Sequence, residues 1–361
     1  MPRMMTKGVR LAAGAALIAS AMAVTAAHAQ DLKPQTFNAV GTWGNLNNFK
    51  KHEGPFWRDV VPKASGGKIT AKIQPITEVG LKGFEMTRLL KLGVFDMAFG
   101  VIGYVAGEDP VFEGPDLSAV AQDIGTARAI VNAYRPIMEK AFEEVFEAKL
   151  MVLYPFPSQM FWCNAEIRKI EDLKGKKIRV YSATLGDFVE GVGGISTTIA
   201  FGEVVQALEK KLADCGITGT TPAYNAKWHQ VATHAYAMRV GWGISFGAFN
   251  LKRWNKLDAA TKAFFTAQFR MLEDRMWKMT GAEDAMGLSC NTGGECTMGK
   301  PGGMKLVTPS KADLAKRTEI LQSHVLKRWG ERCLKKRPNC VKDWNATIGK
   351  ALNITIASQA R

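Results

Sequence analysis

A repeat limits what this chain can fold into more than any other feature. Residues 88–100, RLLKLGVFDMAFG, match residues 207–219, ALEKKLADCGITG, when Asp96 is set on Asp214, with one residue more before the aspartate in the first. Each copy reads as a helix, a turn and a short strand of small residues. Before the first copy come the strand QTFNAVGTW, the helical stretch NFKKHEGPFWRDVVPKAS, and GGKITAKIQPI, whose period-two alternation marks a strand. Before the second come the strand KKIRVYS, the helix TLGDFVEGVG and the strand GISTTIA. Strand, helix, strand, helix, strand, written twice, implies two similar α/β lobes with mostly parallel sheets.

The stretch LMVLYPFPSQMFWCN reads as a strand crossing between the lobes, and the alternating, glycine-rich AMRVGWGISFGAFNLKRW as a second crossing. These divide the chain into lobe I at 30–156 and 244–285, lobe II at 157–243 and 286–345, and a basic C-terminal tail at 346–361. A long helix is expected from about Asp258, a suitable N-cap, to about Met286. Its Phe265, Phe269, Leu272, Met276 and Met279 recur at three- and four-residue steps, a core stripe on a helix long enough to brace both lobes. Ser310 with Asp313 marks the capped start of another helix running through Trp329.

Residues 1–29 read as a secretory signal peptide. Arg3, Lys7 and Arg10 form the basic region, LAAGAALIASAMAV the apolar one, and AHA at 27–29 the cleavage site. The apolar run is short for a membrane span and no basic stop-transfer cluster follows, so an exported, periplasmic chain starting at Gln30 is expected. The formal charge of +15 falls by three, to +12, once those basic residues leave. With no zinc-finger spacing, RNA-binding aromatic motif or basic helix, no nucleic-acid partner is expected; the charge reads as surface, or as steering for small anions. Six cysteines suit an oxidising compartment. Cys290 with Cys296, and Cys333 with Cys340, read as local disulfides, since the spacings are wrong for common zinc sites and no histidine lies among them. Cys163 and Cys215 are left open, either paired or buried and free.

Enzyme signatures are missing. His229 and His234 stand five residues apart, not at the four-residue step of a helix-face metal pair. There is no HExxH, GxSxG or phosphate loop, and the GVGG at 191–194 follows a helix and lacks dinucleotide spacing. The carboxylate pairs Glu108–Asp109 and Glu283–Asp284 lie in polar runs that read as solvated surface. No catalytic residue, cofactor or metal is expected.

One residue asks for an explanation. Lys174, Lys176, Lys177 and Arg179 crowd one stretch, and Arg179 sits between Ile178 and Val180 inside a strand. Alternation puts Lys177, Arg179 and Tyr181 on one face, near the strand's carboxyl end, where open α/β sheets bind ligands. Arginine's planar fork matches a carboxylate and keeps its charge when desolvated. Spacing alone leaves two readings: an anchor for an acidic ligand in an interlobe cleft, or a surface or structural ion pair.

The order FWRDVVPKASGGKITAKIQPITEVG, LGVFDMAFG, IEDLKGKKIRV and AFGEVVQALEKKLADCGITG resembles the substrate-binding subunits of tripartite ATP-independent periplasmic (TRAP) transporters, from about Phe37 to about Trp329. The resemblance implies a periplasmic-binding-protein-like α/β fold, two lobes joined by crossing strands with a long helix spanning both. It implies capture of a small organic acid in the cleft and delivery to a TRAP membrane permease, by a chain expected to be monomeric. It also implies that Arg179 holds the ligand carboxylate.

The sequence departs from the family pattern at three places. Gln159 stands where many members carry a second arginine, Thr218 where many carry an asparagine, and Ser182 where an asparagine often follows the anchoring arginine. A pocket with less charge and fewer amide groups than those of the sugar-acid binders is expected, which disfavours a second carboxylate or a polyol tail. Trp43, Phe99, Tyr104, Trp162 and Trp242 lie in loops or strand ends that face the cleft in this reading, which tilts it toward a monocarboxylate with an apolar or aromatic body. The rivals are a secreted enzyme on the same scaffold and a sensor-associated binding protein.

Overall fold

Asp96 and Asp214 tie the two halves of the repeat in the same way. Each main-chain amide donates to a neighbouring strand and each carboxylate takes an amide back: Asp96 N to Asn38 O and Asn38 N to Asp96 Oδ2, Asp214 N to Lys177 O and Lys177 N to Asp214 Oδ2, all at 2.8 Å. The computed structural model describes residues 32–357. The expected signal peptide and its cleavage site lie outside the described residues, as do the last four residues of the tail.

Lobe I is built on β1 (Gln35–Gly41), β2 (Ile69–Pro75), β3 (Met97–Val101), β4 (Ala148–Tyr154) and β10 (Ser245–Asn250), in the order β2-β1-β3-β10-β4. Lobe II is built on β5 (Gln159–Cys163), β6 (Lys177–Val180), β7 (Ile195–Thr198), β8 (Cys215–Gly219), β9 (His234–Gly241) and β11 (Lys305–Val307), in the order β11-β9-β5-β8-β6-β7. The repeated strands pair in parallel, β1 with β2 and β3, and β6 with β7 and β8. The chain crosses from β4 to β5 and returns from β9 to β10. Each incoming strand lies antiparallel to its neighbours, β5 to β8 and β9, β10 to β3 and β4. Cys163 and Cys215 face one another in the β5–β8 register and form a disulfide, which closes the alternative left open by the sequence. Cys290–Cys296 and Cys333–Cys340 are the other two disulfides.

The long helix runs Ala259–Asn291, five residues beyond Met286, and Asp258 caps it by accepting Thr261 N at 2.8 Å. Phe265 and Phe269 pack among Phe37, Trp57 and Phe249 of lobe I. At the other end Asn291 Nδ2 donates to Thr220 O of lobe II at 2.9 Å, and a Cβ on Gly287 would fall 2.4 Å from Thr221 N. Met279, expected in the buried stripe, is 37 % exposed. Trp277 and Thr280 take the buried positions there, because the helix leaves one lobe's core before it reaches the next.

The C-terminal segment closes the back. The Ser310–Asp313 capping box starts Lys311–Ile320, and helical turns continue through Lys327–Lys336. Trp329 Nε1 donates to Pro110 O and Trp344 Nε1 to Gly114 O, while Arg332 joins Glu113 to Asp187 at 3.0 and 2.7 Å. Residues 346–352, expected to belong to a tail, lie in helical turns packed on Ile124–Phe146, a lobe I helix that the sequence reading did not identify. Among the described residues no helix is long and apolar enough to cross a membrane.

Candidate ligand-binding site

The carboxyl ends of β3, β6 and β8 point into the gap between the lobes, where a small cavity of about 30 Å³ lies. That is room for one or two waters and far below the volume of small-molecule pockets, so a solute enters only as the lobes part. Arg179 comes from β6 and is 1 % exposed. Its Nε donates to Ile199 O and Nη1 to Ile217 O, both at 2.8 Å, so two carbonyls of lobe II fix the plane of the guanidinium. Nη2 reaches across the gap to Tyr104 Oη of lobe I at 2.9 Å. A guanidinium has five N–H groups, so three bonds leave two unfilled, one on each terminal nitrogen. Among the described residues no carboxylate pairs with it, and it is a charge held in a buried place without a counter-ion. The ion-pair reading of the sequence is therefore not what the geometry presents.

Aromatic rings surround the charge. The Arg179 Cζ lies 5.3 Å from the Tyr181 ring centre and 6.0 Å from that of Trp228. Cation–π contacts of this kind partly offset desolvation of the guanidinium. Trp228 reaches this position because residue 216 is glycine: a Cβ there would sit 2.8 Å from the indole. Tyr104 stacks on Tyr181 at 5.5 Å, and Trp43 meets both Tyr104 and Phe201 edge-on at 5.3 and 5.4 Å. Burial raises the phenol pKa of Tyr104, against the opposing pull of Arg179, and lifts that of Tyr181 well above its ordinary value.

The sequence-selected residues divide. Trp43, Tyr104, Gln159, Arg179 and Thr218 line the cavity. Gln159 Nε2 is held by Pro157 O at 2.9 Å, and this side chain contributes no charge. Four others sit elsewhere. Phe99 turns to the long helix, packing near Tyr154 and Phe269. Trp162 is fully buried within lobe II with Nε1 on Thr218 O at 2.9 Å. Ser182 caps the helix Ala183–Gly191 by accepting Leu185 N at 3.3 Å. Trp242 is core, and its main-chain amide donates to Asp116. Both faces of a central strand are apolar here, so alternation could not say which aromatic faces the gap.

Sequence reasoning did not select Leu46, Val101, Phe156, Tyr181, Phe201 and Gly243, which also line the cavity. Tyr181 carried a usable signal, because it shares the alternating face of Arg179. Among the described residues no group of three or more His, Cys, Asp or Glu side chains is placed to hold a metal ion.

Residues 42–329 match the family model for bacterial extracellular solute-binding protein, family 7 (DctP). Among solved structures, the fold is similar to that of an extracytoplasmic solute receptor from Bordetella pertussis binding pyroglutamic acid, with 19% identity over 86% of this chain and 99% of that one and a TM-score of 0.76. It is also similar to a TRAP periplasmic solute-binding protein from Desulfovibrio salexigens with bound orotic acid, with 17% identity over 87% and 99% and a TM-score of 0.78. A third, from Sulfitobacter with bound β-D-galacturonate, gives 17% identity over 87% and 100% and a TM-score of 0.75. The chain belongs to the DctP family of bacterial extracellular solute-binding proteins, the TRAP solute-binding family.

Proposed function

We propose that this protein is a periplasmic receptor that captures an organic acid between its lobes and delivers it to a TRAP-type membrane permease. The solute is a monocarboxylate with an apolar or aromatic body. One observation carries the reading: Arg179 is a buried guanidinium in the interlobe cavity with two unfilled N–H groups and no carboxylate partner among the described residues. A carboxylate supplies both the missing charge and two acceptors in one plane. Gln159 and Thr218 add no second positive charge, and Trp43, Tyr104 and Phe201 offer ring faces to the remainder of the solute. Binding that favours closed lobes over open ones is the only energetic requirement of such a receptor.

Mass spectrometry of the acid that copurifies, followed by calorimetry with it, tests the proposal. Losing one partner of a desolvated Arg–carboxylate pair costs about 2–5 kcal/mol. Arg179→Ala is expected to bind at least tenfold more weakly while unfolding as cooperatively as the parent, and the acid is expected to be released unchanged. Parent-like affinity in Arg179→Ala would remove the acid from this site, and turnover would make the protein an enzyme.

A further inference from the structure

We propose that the phenol of Tyr104 is the lobe I half of the anion site, donating its proton to the same carboxylate that Arg179 holds. This deepens the receptor reading and rests on it. The account is one of hydrogen-bond valence. A tyrosine hydroxyl accepts through two lone pairs and donates one proton. The Tyr104 oxygen accepts from Arg179 Nη2 at 2.9 Å and from Phe201 N at 3.1 Å, so both lone pairs are used. Its proton has no acceptor among the hydrogen bonds of the described residues, and the hydroxyl belongs to a side chain that lines the cavity. The spare proton and the two unfilled N–H groups of Arg179 make three donors on adjoining atoms with nothing to receive them. A carboxylate, with about four lone-pair sites, fills all three.

The backbone brings the two halves this close by design of one position. Tyr104 follows Gly103 in the turn Ile102–Val105 after β3, and a Cβ at 103 would lie 2.9 Å from both Tyr181 Cε2 and Ser182 Cβ of lobe II. Any larger residue would hold the lobes apart and withdraw the phenol. Burial keeps the phenol in its protonated, donating form. Arg179 belongs wholly to lobe II, so it can hold an acid without closing anything. Tyr104 makes the same oxyanion a bond between lobes, and capture and closure become one event. The hydroxyl is then a contact made only in the closed state, which slows escape of the solute without changing its entry.

Stopped-flow tryptophan fluorescence with pyroglutamate, orotate and benzoate as probes, on the full exported chain, tests this. Tyr104→Phe keeps the ring and its stacking and removes the hydroxyl. It is expected to raise the dissociation rate of the acids that bind the parent about tenfold, about 1.4 kcal/mol, with the association rate unchanged, cooperative unfolding retained, and a lowered midpoint because Arg179 Nη2 and Phe201 N lose their acceptor. Equal or slower dissociation in Tyr104→Phe, with Arg179→Ala still impaired, overturns the role of the hydroxyl and leaves the receptor reading standing; it would make the phenol a competitor that occupies the guanidinium. Unimpaired binding in Arg179→Ala, or no response of the parent to any of the three acids, removes the acid-receptor reading and this proposal with it.

Discussion

Asp116 holds Trp242 by its main chain: Oδ1 accepts the Trp242 amide at 3.1 Å, and Oδ2 takes that of Ile244 at 3.0 Å. The residue between them, Gly243, lines the cavity and belongs to the return crossing from β9 to β10. One carboxylate therefore fixes the backbone of one of the two crossings between the lobes. Asp116→Ala leaves two buried amides without partners, at about 1–3 kcal/mol each. Measured by denaturant unfolding at pH 5, below the Asp116 pKa of about 6, the variant is expected to lose about 2 kcal/mol or more. A loss under 0.5 kcal/mol would show that water replaces the carboxylate.

The stabilisation contributed by Glu53 and Asp116 should fall as pH rises from about 4 to about 7, opposed by His52, which burial holds down to about 4. Burial raises Glu53 to about 7 and Asp116 to about 6, in both cases against hydrogen bonds that pull the other way. Values raised in the folded state mean that the folded chain still binds protons that the unfolded chain has released. The stabilisation is fully present below the ordinary carboxylate range and is lost as pH passes through 6 and 7. Glu53 accepts Thr42 N at 2.6 Å and the Tyr154 hydroxyl at 2.8 Å, and so anchors the residue next to Trp43. Urea midpoints at pH 5 and 8 are expected to differ less in Glu53→Gln than in the parent. Equal differences would place the titration elsewhere.

Trp43→Ala should separate the body of the solute from its charge. The indole meets Phe201 and Tyr104 edge-on, whereas the rings set against the Arg179 guanidinium are those of Tyr181 and Trp228. Burial of an aromatic face and its edge-on neighbours is worth a few kcal/mol. Titrations are expected to show about tenfold or greater loss for a ring acid such as benzoate and under threefold for lactate. Equal losses for both would argue against an aromatic wall.

Gly243→Ala is expected to damage the turn and the cavity together. The residue has φ of +55°, and an added Cβ would lie 3.0 Å from Gln159 Nε2 and 3.2 Å from Tyr181 Oη. The left-handed conformation costs an alanine about 1–2 kcal/mol. A lowered unfolding midpoint accompanied by weaker acid binding is the expected result. An unchanged midpoint would mean that the segment flips to another conformation at no cost.

Much of the scaffold was legible because its signals are local. The Asp96–Asp214 alignment marked two carboxylates that perform the same backbone exchange, and Asp258 and Ser310 cap the helices their positions suggested. Arg179 stood out because a charge between Ile178 and Val180 is costly unless something receives it. The remainder depended on contacts far apart in the chain. Ile124–Phe146 escaped notice as a helix; it carries Pro136, a residue that ordinarily argues against a helix interior. Phe201 and Tyr104 belong to different lobes, and only their meeting beside Arg179 makes them part of one site. Phe99 and Trp162 read as cleft residues for the opposite reason: strands covered on both sides give no periodic clue to which side holds the void.

Arg332 grips Glu113 and Asp187 at once, Trp329 and Trp344 are pinned to the carbonyls of Pro110 and Gly114, and the last helical turns lie on Ile124–Phe146. The last stretch of chain is thus a strut bonded to both halves at once, and such a strut limits how far they can part on its side.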